Sequence, residues 1–398
     1  MVYKYSMVEA IRKLVEERKG EILAFAQDLV RTRSVTGHEG PVAEKVRERM
    51  LALGYGSVVS DSLGSVLGRI GDGPVSILFD GHMDTVDVTD SDKWEHDPFS
   101  AVIEDGKLWG RGSVDMKGSL AVAVYAAAIA RDLGLTEGKT VYVLASIMEE
   151  DYAGEPVYRL LNELGLRPDY AVICEASRLA VSNGHNGRAL VNVRIHGRPC
   201  HASAPWLGDN PAYKFASAAL RAEALAKELG KDPVCGTLAL TKLVSDAAGT
   251  NSTASVIDFY LDRRITSIET EETVAKEMDA IIEGLDGEWS VPDLHGVTYN
   301  GSPITFKNYI PGWETDRENP LVLSALESRA EVLGDKGEVV RLGYCTNAVA
   351  TAGRLSIPSI VLGAGDIANA HGRDEFCPVS ELLEACRIYI GLIRRIYK

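Results

Sequence analysis

The segment that runs from residue 75 to residue 84 constrains the fold of this chain more than any other. Its first five residues are mostly apolar, as in a buried strand, and they are followed shortly by His82 and Asp84. Residues two apart in an extended chain lie on the same side, so Asp84 is placed to hold the imidazole ring of His82. Metal-ligating histidines are usually oriented by such a partner. The segment therefore predicts a buried strand that ends in a metal ligand, provided that further ligands lie nearby.

Strands and helices alternate along much of the chain. Apolar runs predict strands at residues 65–70, 75–79, 140–147, 170–174 and 359–362, and helical patterns lie at 118–133, 155–164 and 380–396. Strands that are separated by helices are typical of a parallel or mixed sheet covered on both faces. The pattern therefore predicts the α/β fold class with a mixed sheet.

The middle of the chain has a different pattern. Strand-like alternation at residues 189–197, 238–244 and 254–262, with helical periodicity at 210–229 and 269–285, predicts a small α+β module. A chain of 398 residues is also too long for one ordinary core. We therefore expect a main domain in two parts, residues 1–184 and 310–398, with an inserted domain at residues 185–309.

Net charge indicates which partners the protein is not suited to bind, and cysteine content indicates its redox compartment. The net charge of −15 argues against nucleic acid or an anionic membrane as the main partner. The six cysteines are scattered, without paired spacing, and the N-terminal residues are rich in charges, unlike a signal peptide. These features predict reduced thiols and a cytoplasmic protein.

Acidic residues and a histidine follow several of the predicted strands. They are Glu149, Glu150 and Asp151 after strand 140–147, Glu175 after strand 170–174, and His371 after strand 359–362. Asp115 lies in a glycine-containing loop before helix 118–133. Each residue alone has a structural explanation as a surface charge, a turn residue or a loop histidine. Because ligands bind outside the carboxyl ends of strands in open α/β sheets, the set favours a site for one or two divalent ions.

Five segments, in this order, resemble motifs of one enzyme family. They are GHMDTVDV (81–88), WGRGSVDMKGSLA (109–121), MEED (148–151), CEAS (174–177) and NAHGRDE (369–375). In these segments the chain resembles the zinc-dependent exopeptidase and deacylase family of aminoacylase, acetylornithine deacetylase, succinyl-diaminopimelate desuccinylase and bacterial glutamate carboxypeptidase. The resemblance covers nearly the whole chain. It implies a catalytic domain with a mixed sheet and an inserted α+β domain that serves as lid and dimerisation domain.

The resemblance also implies the metal ligands. They are His82 and Glu175 for one ion, Glu150 and His371 for the other, and Asp115 as the bridge between them. Asp84 would orient His82, and Glu149 would be the general base that takes a proton from the metal-bridging water. The peptide bond between Asp115 and Met116 is implied to be cis. Zn²⁺ is the first expectation for both ions, and Co²⁺ or Mn²⁺ suit the same ligands.

The inserted domain carries further implied site residues. His201, in the segment CHASAP (200–205), would reach into the partner subunit's site and stabilise the oxyanion. Asn251 and Arg264 would contact substrate, although an ion pair of Arg264 with Asp262 is an alternative. Asn347 lies where many members carry serine–aspartate, and we expect it to line the substrate pocket. Such departures from the family pattern leave the specificity open.

The resemblance therefore implies a homodimeric two-metal hydrolase that cleaves an amide bond of a small N-acyl amino acid or of a short peptide with a free carboxylate. Two alternatives stay open. A dipeptidase or aminopeptidase would recognise a free amine, with Asp151 or Asp209 as the acidic group. A metal-stabilised binding protein would need no catalysis, but Glu149 argues against it because a binder needs no general base.

Overall fold

A computed structural model of the chain describes residues 2–231 and 236–397. The strands are β1 Ser57–Ser60, β2 Val66–Gly71, β3 Val75–His82, β4 Ile103–Glu104, β5 Lys107–Trp109, β6 Lys139–Ser146, β7 Tyr170–Ile173, β8 Val181–His185, β9 Gly187–His196, β10 Thr237–Ser245, β11 Val256–Ile265, β12 Gly287–Ser290, β13 Asp293–Val297, β14 Pro303–Lys307, β15 Tyr309–Ile310, β16 Trp313–Glu314, β17 Val339–Leu342, β18 Ser359–Val361 and β19 Phe376–Pro378. The helices are α1 Val2–Glu17, α2 Lys19–Arg31, α3 Gly40–Ala52, α4 Lys117–Asp132, α5 Glu149–Tyr152, α6 Glu155–Glu163, α7 Pro211–Leu229, α8 Glu271–Ile282, α9 Pro320–Leu333 and α10 Val379–Arg395.

The larger sheet has the strand order β1-β2-β6-β3-β7-β18-β8-β16, and β17 also pairs with β8. Its central strands β6, β3, β7 and β18 run parallel to one another. The next strands on either side, β2 and β8, pair with this centre in antiparallel fashion. The mixed sheet predicted from the sequence is therefore present. The carboxyl ends of the four parallel strands meet at one edge, where the sequence places its polar residues.

Helices cover both faces of this sheet. Ile77 and Phe79 of β3 belong to the main core, which includes the whole apolar stretch of α4, and Leu78 between them belongs to a second core with α6. The apolar run at residues 120–130 forms the buried part of α4. Because strand β3 is buried on both faces, the polar side chains that follow it are confined to the edge of the sheet.

The second sheet is antiparallel, with the order β10-β11-β9-β12 and with β15 also beside β9. Helices α7 and α8 cover one face, where Phe259 and Val193 contribute to a separate core. The chain enters this sheet after residue 186 and returns to the larger sheet after residue 310. The division at residues 185 and 309 into a main domain and an inserted domain stays a prediction.

A hairpin formed by β13 and β14 is a feature that the sequence patterns did not reveal. It follows β12 of the second sheet, yet Ile304 and Phe306 pack in the core of the larger sheet. The Tyr299 hydroxyl, in the turn of the hairpin, donates a hydrogen bond of 2.8 Å to the carbonyl of Gly64. Residues 293–307 therefore pack on the core of the larger sheet, although they lie within the segment predicted to form the inserted domain.

The described cysteines are all unpaired, and Cys235 lies outside the described residues. No helix in residues 2–231 and 236–397 has the length and apolar character needed to cross a bilayer.

Candidate metal centre

The parallel strands deliver the predicted ligands to one edge of the sheet. His82 is the last residue of β3, and Glu175 follows β7 by two residues. Glu149 and Glu150 open the short helix α5, directly beyond β6. His371 follows β18 in a longer loop, and its backbone is left-handed, with a φ of 60°. The structure thus brings together residues that lie far apart in the sequence.

The first group of potential ligands consists of His82, Asp115 and Glu175. The Nε2 atom of His82 lies 2.9 Å from Asp115 Oδ1 and 3.2 Å from Glu175 Oε1. The other ring nitrogen, Nδ1, lies 2.9 Å from the carbonyl oxygen of Asp84 and is placed to donate a hydrogen bond to it. This bond leaves the lone pair of Nε2 free for a metal ion.

The second group consists of Asp115, Glu150 and His371. Its imidazole nitrogen, His371 Nε2, lies 3.0 Å from Asp115 Oδ2 and 3.1 Å from Glu150 Oε2. Asp115 therefore turns one carboxylate oxygen to each group, which is the arrangement of a bridging ligand. The peptide bond between Asp115 and Met116 is cis, as the resemblance implies.

The donor atoms and their charges fit two divalent cations. Ligand atoms around one tetrahedral ion at about 2.1 Å lie about 3.4 Å apart, close to the spacings seen here. Burial raises the pKa of Glu175 to about 7, and the adjacent Asp115 carboxylate adds to the rise. Burial likewise raises the pKa of Glu150 above its ordinary value. A cation in each group would compensate this concentration of buried carboxylates.

Asp84 holds two elements of the site rather than one. The sequence predicts that the Asp84 side chain orients His82. In the structure, His82 Nδ1 lies 2.9 Å from the backbone carbonyl oxygen of Asp84 and 3.5 Å from its carboxylate Oδ1, so the carbonyl makes the closer contact. The carboxylate instead accepts hydrogen bonds from the backbone N–H groups of Glu149 and Glu150, at 3.0 Å and 3.1 Å. Asp84 therefore ties the end of β3 to the start of α5.

Glu39, which the sequence analysis did not single out, supports the same segment. Its Oε1 atom accepts a hydrogen bond of 3.0 Å from the backbone N–H of Met148, whose own backbone is left-handed with a φ of 55°. Glu39 is fully buried. Successive N–H groups of residues 148–150 are thus held by two buried carboxylates. No sequence signal near Glu39 indicates this role, because it depends on a contact between distant segments.

Glu375 was also missed, and it holds the loop that carries Asp115. Its Oε1 atom accepts hydrogen bonds from the backbone N–H groups of Gly112 and Val114, at 2.9 Å and 3.0 Å. Its other oxygen accepts from the guanidinium of Arg111. Glu375 ends the motif that begins before His371, so its position in that motif is the signal that could have identified it.

A cavity of about 490 Å³ opens at the two ligand groups. Glu149 lines it and is buried, but it belongs to neither group of potential ligands. The lining also includes Arg188 and Arg264, and Leu294 and Phe306 from the β13–β14 hairpin add apolar side chains. The cavity therefore combines ligand groups, a further carboxylate, two cations and apolar surface.

His201 and Asn251 lie outside this cavity. Both are exposed, and they are neighbours: His201 bridges to Ser252, and the Ala202 N–H donates to the carbonyl of Asn251. Within a single chain the structure does not bring these two residues to the ligand groups. Their expected roles therefore depend on a second copy of the chain.

Asn347 does not reach the cavity either. Its amide group donates hydrogen bonds of 2.9 Å to Asp80 and to Ser146, and its carbonyl accepts one of 2.8 Å from the N–H of Gly154. Asn347 is fully buried and does not line the cavity. This position corrects the expectation that it lines the substrate pocket: its polar atoms connect β3, β6 and the turn before α6.

Comparison with known proteins agrees with this geometry. Residues 78–395 match the model of Peptidase family M20/M25/M40. The chain is 30% identical over 387 residues to the uncharacterized protein YgeY of Escherichia coli (strain K12), covering 96% of each. It is 30% identical over 323 residues to acetylornithine deacetylase of Pectobacterium carotovorum, covering 78% of each.

Among solved structures, an M20 family metallo-carboxypeptidase from Sulfolobus solfataricus superposes with a TM-score of 0.73 at 18% identity, covering 94% of this chain and 99% of that one. This likeness shows the same fold. The family match confirms the resemblance seen in the five sequence motifs. The chain belongs to the peptidase family M20/M25/M40, and it is a metal-dependent hydrolase that acts on amide bonds.

Proposed function

We propose that this protein hydrolyses the amide bond of a small N-acyl amino acid or of a short peptide with a free carboxylate. The position of Glu149 carries the proposal: its carboxylate is buried at the cavity, beside both ligand groups but part of neither. Amide hydrolysis needs a base that takes a proton from water and returns it to the leaving nitrogen. A protein that only bound metal has no use for this additional carboxylate.

The residues of the site divide the chemistry. The two groups that share Asp115 would hold two divalent ions, for which we propose Zn²⁺, with Co²⁺ or Mn²⁺ as alternatives. Such ions supply Lewis acidity and a nucleophile at neutral pH. Glu149 accepts the proton of the attacking water and delivers it to the leaving nitrogen. Burial raises the pKa of Glu149 well above its ordinary value, which suits a group that holds this proton between two steps.

The walls of the cavity suit the proposed substrate. Arg264 lines it, and its guanidinium, which Asp262 holds by an ion pair of 2.7 Å, is the type of group that binds a substrate carboxylate. Leu294 and Phe306 offer an apolar surface to an acyl group or a side chain. The unpaired cysteines agree with a reducing compartment, and we propose the cytoplasm.

We also propose that the inserted domain joins two copies of the chain. Strand β10 is at the edge of the second sheet, and Leu240, Leu243 and Val244 on it are exposed. An edge strand with exposed apolar side chains is normally covered by a partner. In a twofold dimer, the exposed His201 and Asn251 would complete the partner's cavity, where His201 donates a hydrogen bond to the developing oxyanion.

The proposal is tested by measuring turnover of N-acetyl and N-succinyl amino acids, and of short peptides with a free carboxylate, before and after removal of metal with a chelator. We expect metal-dependent release of the free amino acid from at least one member of the panel. Absence of turnover of every member, with both ions bound, would contradict the proposed substrate class.

A dipeptidase or aminopeptidase is the second candidate, and one observation favours it. Asp151 lines the cavity, and a carboxylate there can bind the free amine of a peptide. Asp209, the other residue considered, pairs instead with Lys214 in the inserted domain. Comparing an N-acetyl amino acid with the unblocked dipeptide that ends in the same residue separates the two candidates, because only a peptidase prefers the free amine.

Glu39 provides a test of how the base is positioned. We expect Glu39→Ala to lower kcat by about 10²-fold with little change in KM, because the N–H of Met148 loses its acceptor and Glu149 shifts. Glu39→Gln keeps a carbonyl oxygen at this position, so its kcat should stay near that of the wild type. Steady-state kinetics and metal analysis of both variants are the measurement. Equal losses in the two variants, or loss of metal, would show that Glu39 acts in another way.

A further inference from the structure

Two arginines face each other on the second sheet where it meets the cavity. Arg188 of β9 and Arg264 of β11 are direct partners in the antiparallel register, and both line the cavity. Like charges placed directly opposite each other on a sheet destabilise it. This placement of two guanidiniums therefore requires anions that compensate it.

Asp262 compensates only one of the two positive charges. Its Oδ2 atom accepts a hydrogen bond of 3.1 Å from Arg188 Nε, and its Oδ1 atom accepts one of 2.7 Å from Arg264 Nε. Within the described part of the chain, the terminal guanidinium nitrogens of Arg188 have no hydrogen-bond acceptor. Arg188, Arg264 and Asp262 together therefore carry one net positive charge. The terminal nitrogens of Arg188 remain available as hydrogen-bond donors beside the cavity.

The same two strands carry a balanced pair at their other end. Arg194 of β9 binds its register partner Asp258 through two hydrogen bonds, of 2.9 Å and 3.0 Å. Arg194 lies six residues beyond Arg188, about 20 Å along the strand, and does not line the cavity. At this end of the two strands, one carboxylate balances one guanidinium. The guanidinium that lacks a carboxylate of its own occurs at the other end, which meets the cavity.

We infer that Arg188 determines specificity by forming, with Arg264 of the same chain, a two-guanidinium clamp for the free carboxylate of the substrate. This inference rests on the proposed function. Asp262 holds Arg188 through its Nε atom, and it holds Arg264 through Nε and a longer bond of 3.4 Å from one terminal nitrogen. Both terminal nitrogens of Arg188 and the other terminal nitrogen of Arg264 are left to the ligand. A substrate carboxylate balances the remaining charge and accepts charge-assisted hydrogen bonds. A carboxamide is uncharged and offers one acceptor oxygen in place of two, so the clamp discriminates against it.

The test compares kcat/KM for two compounds: the N-acyl amino acid that the wild type cleaves fastest in the panel above, and the carboxamide of that compound. We expect Arg188→Gln to lower kcat/KM for the acid by about 10- to 100-fold, mainly through KM, and to leave the carboxamide unchanged. Arg188→Lys keeps the positive charge but loses the planar guanidinium, so its kcat/KM for the acid should lie between the values of the wild type and of Arg188→Gln. Arg194→Gln is the matched control, since it removes an arginine of the same strand from an equivalent ion pair.

The outcomes separate this inference from the proposed function. If the wild type cleaves the acid but Arg188→Gln behaves like Arg194→Gln, the clamp is wrong and the proposed function stands. If the wild type cleaves no compound of the panel, the proposed function fails, and the clamp fails with it. Equal losses for the acid and the carboxamide in Arg188→Gln, or a lower Tm than that of Arg194→Gln, would show a structural role and overturn the inference.

Discussion

The Glu149→Gln variant is expected to lose about 10²- to 10⁴-fold in kcat while it keeps both metal ions. Glutamine has nearly the same size as glutamate and can occupy the same place beside the cavity, but it cannot accept a proton from water and return it to the leaving nitrogen. Glu149 belongs to neither group of potential ligands, so metal content should not change. Steady-state kinetics and elemental analysis of the same preparation are the two measurements.

The neighbouring Glu150 provides the matched control. It lies in the same helix α5, but its Oε2 atom is 3.1 Å from His371 Nε2, within the second ligand group. Glu150→Gln should therefore lower the affinity for one metal ion, and added metal should restore part of the activity. If Glu149→Gln loses metal and Glu150→Gln does not, the roles of the two glutamates are exchanged. If Glu149→Gln keeps its kcat, Glu149 is not the base.

His201→Ala is expected to lower kcat by about 10²- to 10³-fold and to leave the metal content unchanged, because it removes one hydrogen-bond donor to the oxyanion. His201 is exposed and does not line the cavity of its own chain. The loss should therefore come from the partner's site. In the proposed dimer, a substitution of His201 in one chain should therefore impair the active site of the other chain.

Mixing the two inactive variants tests that dependence. A dimer of one His201→Ala chain and one Glu149→Gln chain has one site in which both residues are intact, if His201 acts across the interface. Random exchange of subunits should then restore about a quarter of the wild-type activity. If His201 acts within its own chain, neither site of the mixed dimer is complete and no activity returns. Re-equilibrated wild-type dimers provide the control for losses during exchange.

The sequence predicted which residues come together in the two groups of potential ligands better than it predicted the residues that support these groups. His82, Glu150 and Glu175 could be identified because each follows an apolar strand, and parallel strands bring their carboxyl ends to one edge. The hydrogen bond from Met148 to Glu39 joins residues that are distant in the chain, so neither hydrophobic periodicity nor a local motif indicates it.

Two expectations also show where residue type alone misleads. Asn347 is polar and lies near the end of a strand in space, yet its hydrogen bonds are all internal, so it is a structural residue. The β13–β14 hairpin follows the second sheet in sequence but packs on the main core, because Ile304 and Phe306 find their apolar partners there. Both results depend on tertiary contacts that a pattern within one segment does not contain.

The most direct test of the central claim is a metal titration of the chelator-treated protein, with bound metal and turnover of the best N-acyl amino acid measured in the same samples. We predict no turnover without metal, binding of two equivalents of Zn²⁺ per chain through the two groups that share Asp115, and recovery of full activity as these sites fill. Full turnover in the metal-free protein, or saturation without any turnover, would contradict a two-metal amide hydrolase.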